Sequence, residues 1–165
     1  MSSSAPASSE PRFTPRRPWP VLVLFLAVVI GVGFVIGYTN TPGDWYAGLN
    51  KPPFNPPNWI FGPVWTILYV LIAIAGWRTF TGDRNGLGMK LWVGQMLLNW
   101  LWTPLWFGAN WVWPAFAVII LLDIAIIWFI VERWNRDRPA ALMFVPYAAW
   151  VSFAALLNFS IGLLN

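Results

Sequence analysis

Trp92, Gln95, Asn99, Trp102 and Trp106 recur at steps of three, four, three and four residues. At about 3.6 residues per helical turn, these five share one face. Such a face offers flat π surfaces beside amide donors and acceptors, so it can stack on a planar ligand and hold its polar edge, or simply join helices. Phe61, Trp65 and Tyr69 follow an i, i+4, i+8 pattern, and Tyr147, Trp150, Ala154 and Asn158 share a face further along. These three faces are expected to converge on an aromatic cavity whose ligand-binding residues are Trp65, Tyr69, Gln95, Asn99, Trp102, Trp106, Tyr147, Trp150 and Asn158. Asp123 is an acid inside an apolar run, with no base nearby in that run. It could be a ligand contact, a proton-relay site, or a hydrogen-bond partner for an amide or hydroxyl. The chain has no Cys and no His. That excludes disulfides, Cys/His zinc sites, Ser-His-Asp triads and His or Cys ligation of haem iron. No metal site, no cofactor and no conventional catalytic residue is expected.

The elements that must position these residues are transmembrane helices. The chain is 58% apolar and 10% charged, against about 25% charged in soluble domains. Five apolar runs, Pro20–Tyr38, Ile60–Trp77, Leu91–Phe107, Val112–Val131 and Ala140–Leu164, each cover most or all of a ~30 Å hydrocarbon core at ~1.5 Å per residue. The expected fold is therefore all-α: a polytopic membrane protein, a five-transmembrane-helix bundle over 19–165. The third run contains Pro104, whose freed carbonyl needs a partner from a neighbouring helix or side chain. A carboxylate at mid-bilayer costs at least ~2.5 kcal/mol, so Asp123 should face protein.

Residues 1–18 are rich in Ser, Pro and Arg and should form a disordered cytoplasmic tail. Arg16 and Arg17 before an apolar run resemble a signal or twin-arginine peptide, but no A-x-A site follows, so a retained first helix is expected. Arg12, Arg16, Arg17, Arg78, Arg84, Lys90, Arg133, Arg136 and Arg138 all fall on one side of a five-span arrangement, and Lys51 alone falls on the other. The positive-inside rule places the N-terminus in the cytoplasm, with the C-terminus and the loop 39–59 periplasmic. Helical spans point to a bacterial inner membrane. The net charge of +4 is used for topology, and no nucleic-acid partner is expected.

The loop 39–59 holds Pro52, Pro53, Pro56 and Pro57. It should be a stiff, extended cap whose aromatics rest at the interface or fold over the bundle mouth. Among fourteen tryptophans, Trp19, Trp45, Trp59, Trp77, Trp111, Trp113 and Trp134 suit an interfacial belt, and Trp128 suits either place. Trp65, Trp100, Trp102 and Trp150 lie inside spans. Trp65, Asn99, Trp102 and Asn158 fall within about two turns (~12 Å) of the outer helix ends, which puts the cavity in the outer half of the bilayer. Gly31, Gly33, Gly37, Ala115 and Ala117 could serve intramolecular packing or a homodimer.

Taken together, WYAGLNKPPFNPPNW, FGPVWTILY, GQMLLNWLWTPLWFGA, LLD around Asp123 and PYAAWVSFAALLN resemble the TspO/MBR family of tryptophan-rich sensory and translocator proteins. The resemblance runs from the first span onward. It implies a five-helix bundle, often dimeric, that binds porphyrins and in many members sterols or synthetic isoquinoline and benzodiazepine-type ligands. It carries pocket roles to Trp65, Asn99 and Trp150, and associates Trp65 and Trp150 with light-dependent porphyrin degradation. Two positions depart from the pattern. Phe159 replaces the tyrosine of the animal cholesterol motif, with no basic residue following it up to Asn165, and Phe54-Asn55 stands where animal members have Trp-His. Sterol binding through that motif is not expected.

The leading expectation is a membrane receptor or regulator for tetrapyrroles such as protoporphyrin IX, held by stacking and by hydrogen bonds to propionates. The rivals are a small transporter or exporter of amphipathic molecules working through Asp123, and a photochemical porphyrin-degrading protein. The expected partners are the small hydrophobic ligand, the lipid bilayer and a second copy of the chain.

Overall fold

The computed structural model describes residues 18–165; the tail expected over 1–18 lies, apart from Pro18, outside the described residues. Every regular element among these is helical: α1 (Trp19–Thr39), α2 (Asp44–Gly48), α3 (Phe61–Asp83), α4 (Leu87–Thr103), α5 (Val112–Arg133) and α6 (Arg138–Leu164). The starts follow local chemistry. Pro20 opens α1, where its missing N–H is no loss. Asp137 caps α6 by accepting from Ala140 N at 3.4 Å, and the same carboxylate takes Arg78 Nη2 at 2.6 Å. One aspartate thus caps a helix and ties α3 to α6.

Four helices are long and apolar enough to cross a membrane: the segment Asn58–Asp83 that contains α3, together with α1, α5 and α6. The expected third span differs. As an α-helix, α4 has 17 residues, and at Pro104 it passes into a wider π turn over Pro104–Gly108. Proline cannot donate to the preceding turn, and the carbonyl pattern lengthens there: Ala109 N donates to Pro104 O at 2.8 Å and Trp111 N to Leu105 O at 2.9 Å. The chain then reverses at Asn110, whose φ of 60° lies in the left-handed region.

The outer faces are apolar. Leu121, Ile124, Ile127 and Val131 of α5 and Val23, Leu24, Phe34 and Val35 of α1 are exposed, which suits contact with acyl chains. Trp19, Trp59, Trp111, Trp113 and Trp134 are exposed near helix ends, as a belt requires. Helix contacts use bare backbone. A side chain at Gly33 would strike the Tyr69 ring, one at Gly76 the Trp92 indole, and one at Gly88 the Arg133 guanidinium. By contrast, Gly31 and Gly37 have nothing within 4 Å, and Ala115 is buried while Ala117 is exposed. Phe129 stacks on Phe144 at 4.0 Å to join α5 to α6.

The loop 39–59 is less extended than its prolines suggest. It contains α2, a turn closed by Asn55 N donating to Pro52 O at 3.0 Å, and a short 3-10 turn at Asn58–Ile60. The prolines follow α2, so Asp44–Gly48 was free to become helical. The loop does fold over the bundle. Tyr46 is buried against Phe107 at 5.4 Å and donates to Asn55 Oδ1 at 3.0 Å. Trp45 meets Trp106 edge-on at 5.7 Å. Asn165 clasps the loop from the far end of the chain: its Oδ1 accepts from Asn50 N at 2.9 Å and its Nδ2 donates to Asn50 O at 3.0 Å.

Candidate functional site

Helices α3, α4 and α6 each contribute one polar stripe to a common interior. Tyr69 Oη donates to Asn99 Oδ1 at 3.1 Å. Asn99 Nδ2 donates to Tyr147 Oη at 2.9 Å. Tyr147 Oη donates to Gln95 Oε1 at 2.9 Å, and Gln95 Nε2 donates to the Trp92 carbonyl at 2.9 Å. Four side chains from three helices therefore form one directional chain in which each link uses a donor of its own. Gln95 and Tyr147 have no exposed surface and Asn99 has 3%. Amides at such depth cost several kcal/mol if left unpaired, and here they are paired with phenols.

Aromatic rings surround the chain. Trp65 leans over Tyr69 at 5.4 Å and meets Tyr147 edge-on at 6.2 Å. Closer to the loop, Trp102 and Trp106 lie parallel at 6.1 Å and 9°. Trp102 Nε1 donates to Asn158 Oδ1 at 3.3 Å, and Asn158 Nδ2 donates to the Val112 carbonyl at 3.1 Å. Trp106 and Asn158 are buried, and Trp106 lies against Trp45 of the loop. This second cluster ties α4, α5, α6 and the cap together.

Trp150 sits at the margin. It is half-buried, edge-on to Phe61 at 5.8 Å and tilted against Phe153 at 5.7 Å. With Val64, Ile67, Leu68, Pro146 and Ala149 it lines an open groove of about 400 Å³ between α3 and α6. Its Nε1–H is buried yet has no hydrogen-bond partner among the described residues, and the same holds for Trp100 Nε1. A buried indole N–H normally finds an acceptor, so Trp150 has a donor to spare beside an apolar groove.

Asp123 is not joined by a hydrogen bond to this constellation. Its Oδ2 accepts from Ser152 Oγ at 2.8 Å across the α5–α6 seam, while Oδ1 is buried without a partner. Trp92, on the same stripe as Gln95, donates its indole N–H to the Ile72 carbonyl of α3 at 2.9 Å. Helical spacing did not reveal Trp45, Tyr46 or Phe107 as neighbours of the tryptophan pair, nor Ser152 as the partner of Asp123. Trp45 and Tyr46 depend on how the loop folds, Phe107 depends on the π turn after Pro104, and Ser152 carries no periodic signal. Among the described residues no cluster of acids could hold a metal ion.

Comparison with known proteins agrees with this architecture. The model of the TspO/MBR family matches residues 24–164. The chain is 41% identical over 150 residues to tryptophan-rich protein TspO of Archaeoglobus fulgidus, covering 87% of this chain and 96% of that one. It is 39% identical over 133 residues to protein CrtK of Rhodobacter capsulatus, covering 78% and 83%. It is 32% identical over 152 residues to the human translocator protein, covering 87% and 89%. With apolar helices of spanning length, buried amide stripes and a match across nearly all described residues, this multi-pass membrane protein belongs to the TspO/MBR family.

Proposed function

We propose that the protein is an integral membrane receptor or regulator that binds a porphyrin, or a similarly flat hydrophobic molecule, against the aromatic faces of α3, α4 and α6 beneath the loop 39–59. One observation carries the reading. The buried Tyr69–Asn99–Tyr147–Gln95 chain gives a rigid floor, and at its margin stand two half-buried indoles, Trp65 and Trp150, the latter with an unused N–H. A macrocycle can stack on each indole for roughly 0.5–1.5 kcal/mol beyond burial. The sensory sense of the reading is supported by a relative named tryptophan-rich sensory protein from Cereibacter sphaeroides, 34% identical over 147 residues.

In this proposal the bundle crosses the membrane five times. The fifth crossing is α4 continued by its π turn from Leu87 to Gly108, and Gln95 and Asn99 are tolerated there because they face protein. The basic end, with Arg78, Arg84, Lys90, Arg133, Arg136 and Arg138, faces the cytoplasm of a bacterial inner membrane, the cap faces the periplasm, and the working unit is a homodimer.

Titration with metal-free protoporphyrin IX, read by quenching of tryptophan emission, tests the ligand site. A Trp65→Ala, Trp150→Ala double variant should bind at least tenfold more weakly, given two lost stacking contacts. A Trp111→Ala, Trp113→Ala control at the exposed belt should bind normally. Normal affinity in the first variant would reject the site.

A further inference from the structure

At the basic end, the cations divide into two groups. Arg78 pairs with Asp137, Arg133 and Arg136 pair with Glu132, and Arg138 lies over the Trp134 ring at 4.9 Å. Arg84 and Lys90 are exposed and have no carboxylate within ion-pair distance among the described residues. The acid nearest in sequence, Asp83, lays its carboxylate against the backbone of Gly86 instead. These two unpaired cations line the same open groove of about 690 Å³, with Asn85 beside them and Met89, Val93 and Gly94 completing its wall. The groove is polar where α3 turns into α4 and apolar one to two turns further into the bilayer. Nothing lies within 4 Å of where a Gly94 side chain would stand.

We propose that this groove is a binding site for the headgroup of one anionic phospholipid in the leaflet at the basic end. The phosphodiester would sit between the Arg84 fork and the Lys90 ammonium, a polar headgroup hydroxyl would reach Asn85, and an acyl chain would run over Val93 and the bare backbone of Gly94. The charge pattern selects this occupant. Two unpaired cations at interfacial depth call for an anion, and the apolar continuation toward the bilayer calls for one that carries a hydrocarbon tail. The groove opens where α3 turns into α4, at the end of the bundle opposite the loop 39–59, and stands independently of the ligand read at the aromatic constellation.

The full-length protein, reconstituted in bilayers of equal phosphatidylglycerol and phosphatidylcholine and then released for native mass spectrometry, should retain phosphatidylglycerol preferentially. Arg84→Gln with Lys90→Gln should reduce that preference roughly 25-fold, since each cation near the surface contributes about one factor of five. Gly94→Phe leaves both charges in place and fills the apolar part, so it should lower lipid retention several-fold. Arg136→Gln with Arg138→Gln removes the same charge outside the groove and should leave the preference unchanged. The proposal is overturned if the first pair keeps the native preference, or if the control pair loses as much, which would mean diffuse attraction to the basic end. Unaltered retention in Gly94→Phe, or displacement of the lipid by millimolar inorganic phosphate, would overturn the acyl half and leave a small-anion site.

Discussion

Replacing Tyr147 with Phe removes one oxygen from the centre of the interior chain and leaves the ring, its edge contacts with Trp65 and Phe144, and the buried area almost intact. Two bonds disappear at once, the one accepted from Asn99 and the one donated to Gln95. Asn99 keeps its bond from Tyr69 and Gln95 keeps its bond to the Trp92 carbonyl, so each amide is left half satisfied. An unsatisfied buried group costs about 1–3 kcal/mol in water-soluble proteins, whereas interhelical bonds within membranes average about 0.6 kcal/mol. Two such losses place the expected destabilisation at about 1–3 kcal/mol. Tyr69→Phe removes one bond from a half-buried ring and should cost about half as much. Reversible unfolding of purified protein in mixed micelles, with helical content as the signal, measures both. A double-mutant cycle with Gln95→Leu should give a coupling of at least about 0.5 kcal/mol. If Tyr147→Phe unfolds like the native protein, or is milder than Tyr69→Phe, the chain is not what joins the three helices.

Other perturbations separate packing from decoration. Gly33→Val should weaken or displace α1 by driving a side chain into the Tyr69 ring, whereas Gly31→Val and Gly37→Val should be close to neutral, and thermal denaturation in micelles ranks the three. Asn165→Ala removes both bonds to the Asn50 backbone, so amide exchange across residues 44–55 should speed up several-fold while exchange in α5 stays unchanged. Burial pushes the Tyr46 phenol above its ordinary 10.0. Because the folded value is raised, the contribution of Tyr46 is complete below pH 10.0 and is lost as pH climbs through the raised value. The cap should open in that alkaline window, and Tyr46→Phe should abolish the pH dependence of loop exchange.

How much of this was legible in the residue order varies with the kind of signal. The stripe Trp92–Trp106 is periodic, and the side chains it nominated are brought against Tyr69, Tyr147 and Asn158 because amides in an apolar medium must find partners. Spacing alone did not say that two of those partners would be phenols bridged by Asn99, nor that Trp150 would stand beside a groove at the side of the bundle. The loop was misjudged where local composition changes. Four prolines after Lys51 suggested extended chain throughout, yet Asp44–Gly48 precedes them and coils into α2. Helix ends moved outward because charged residues such as Arg78 and Asp83 continue α3 past the apolar run. Contacts between distant residues without periodicity, Asn50 with Asn165 and Asp123 with Ser152, left no trace in sequence.

Three successive helix pairs meet where a planar group is seated on a missing side chain: Tyr69 on Gly33, Trp92 on Gly76, and Arg133 on Gly88. Acyl chains are as apolar as leucine, so expelling them gives adjoining helices little reason to prefer one vertical alignment over another. A notch that accepts a ring at a single height supplies that reason. Sliding α1 against α3, α3 against α4, or α4 against α5 by one turn would unseat the plate and bring it against ordinary side chains. These four helices are therefore keyed along the long axis of the bundle, and the stripes of α3 and α4 face one another at matching depth because the sockets fix the elevation of α1, α3, α4 and α5.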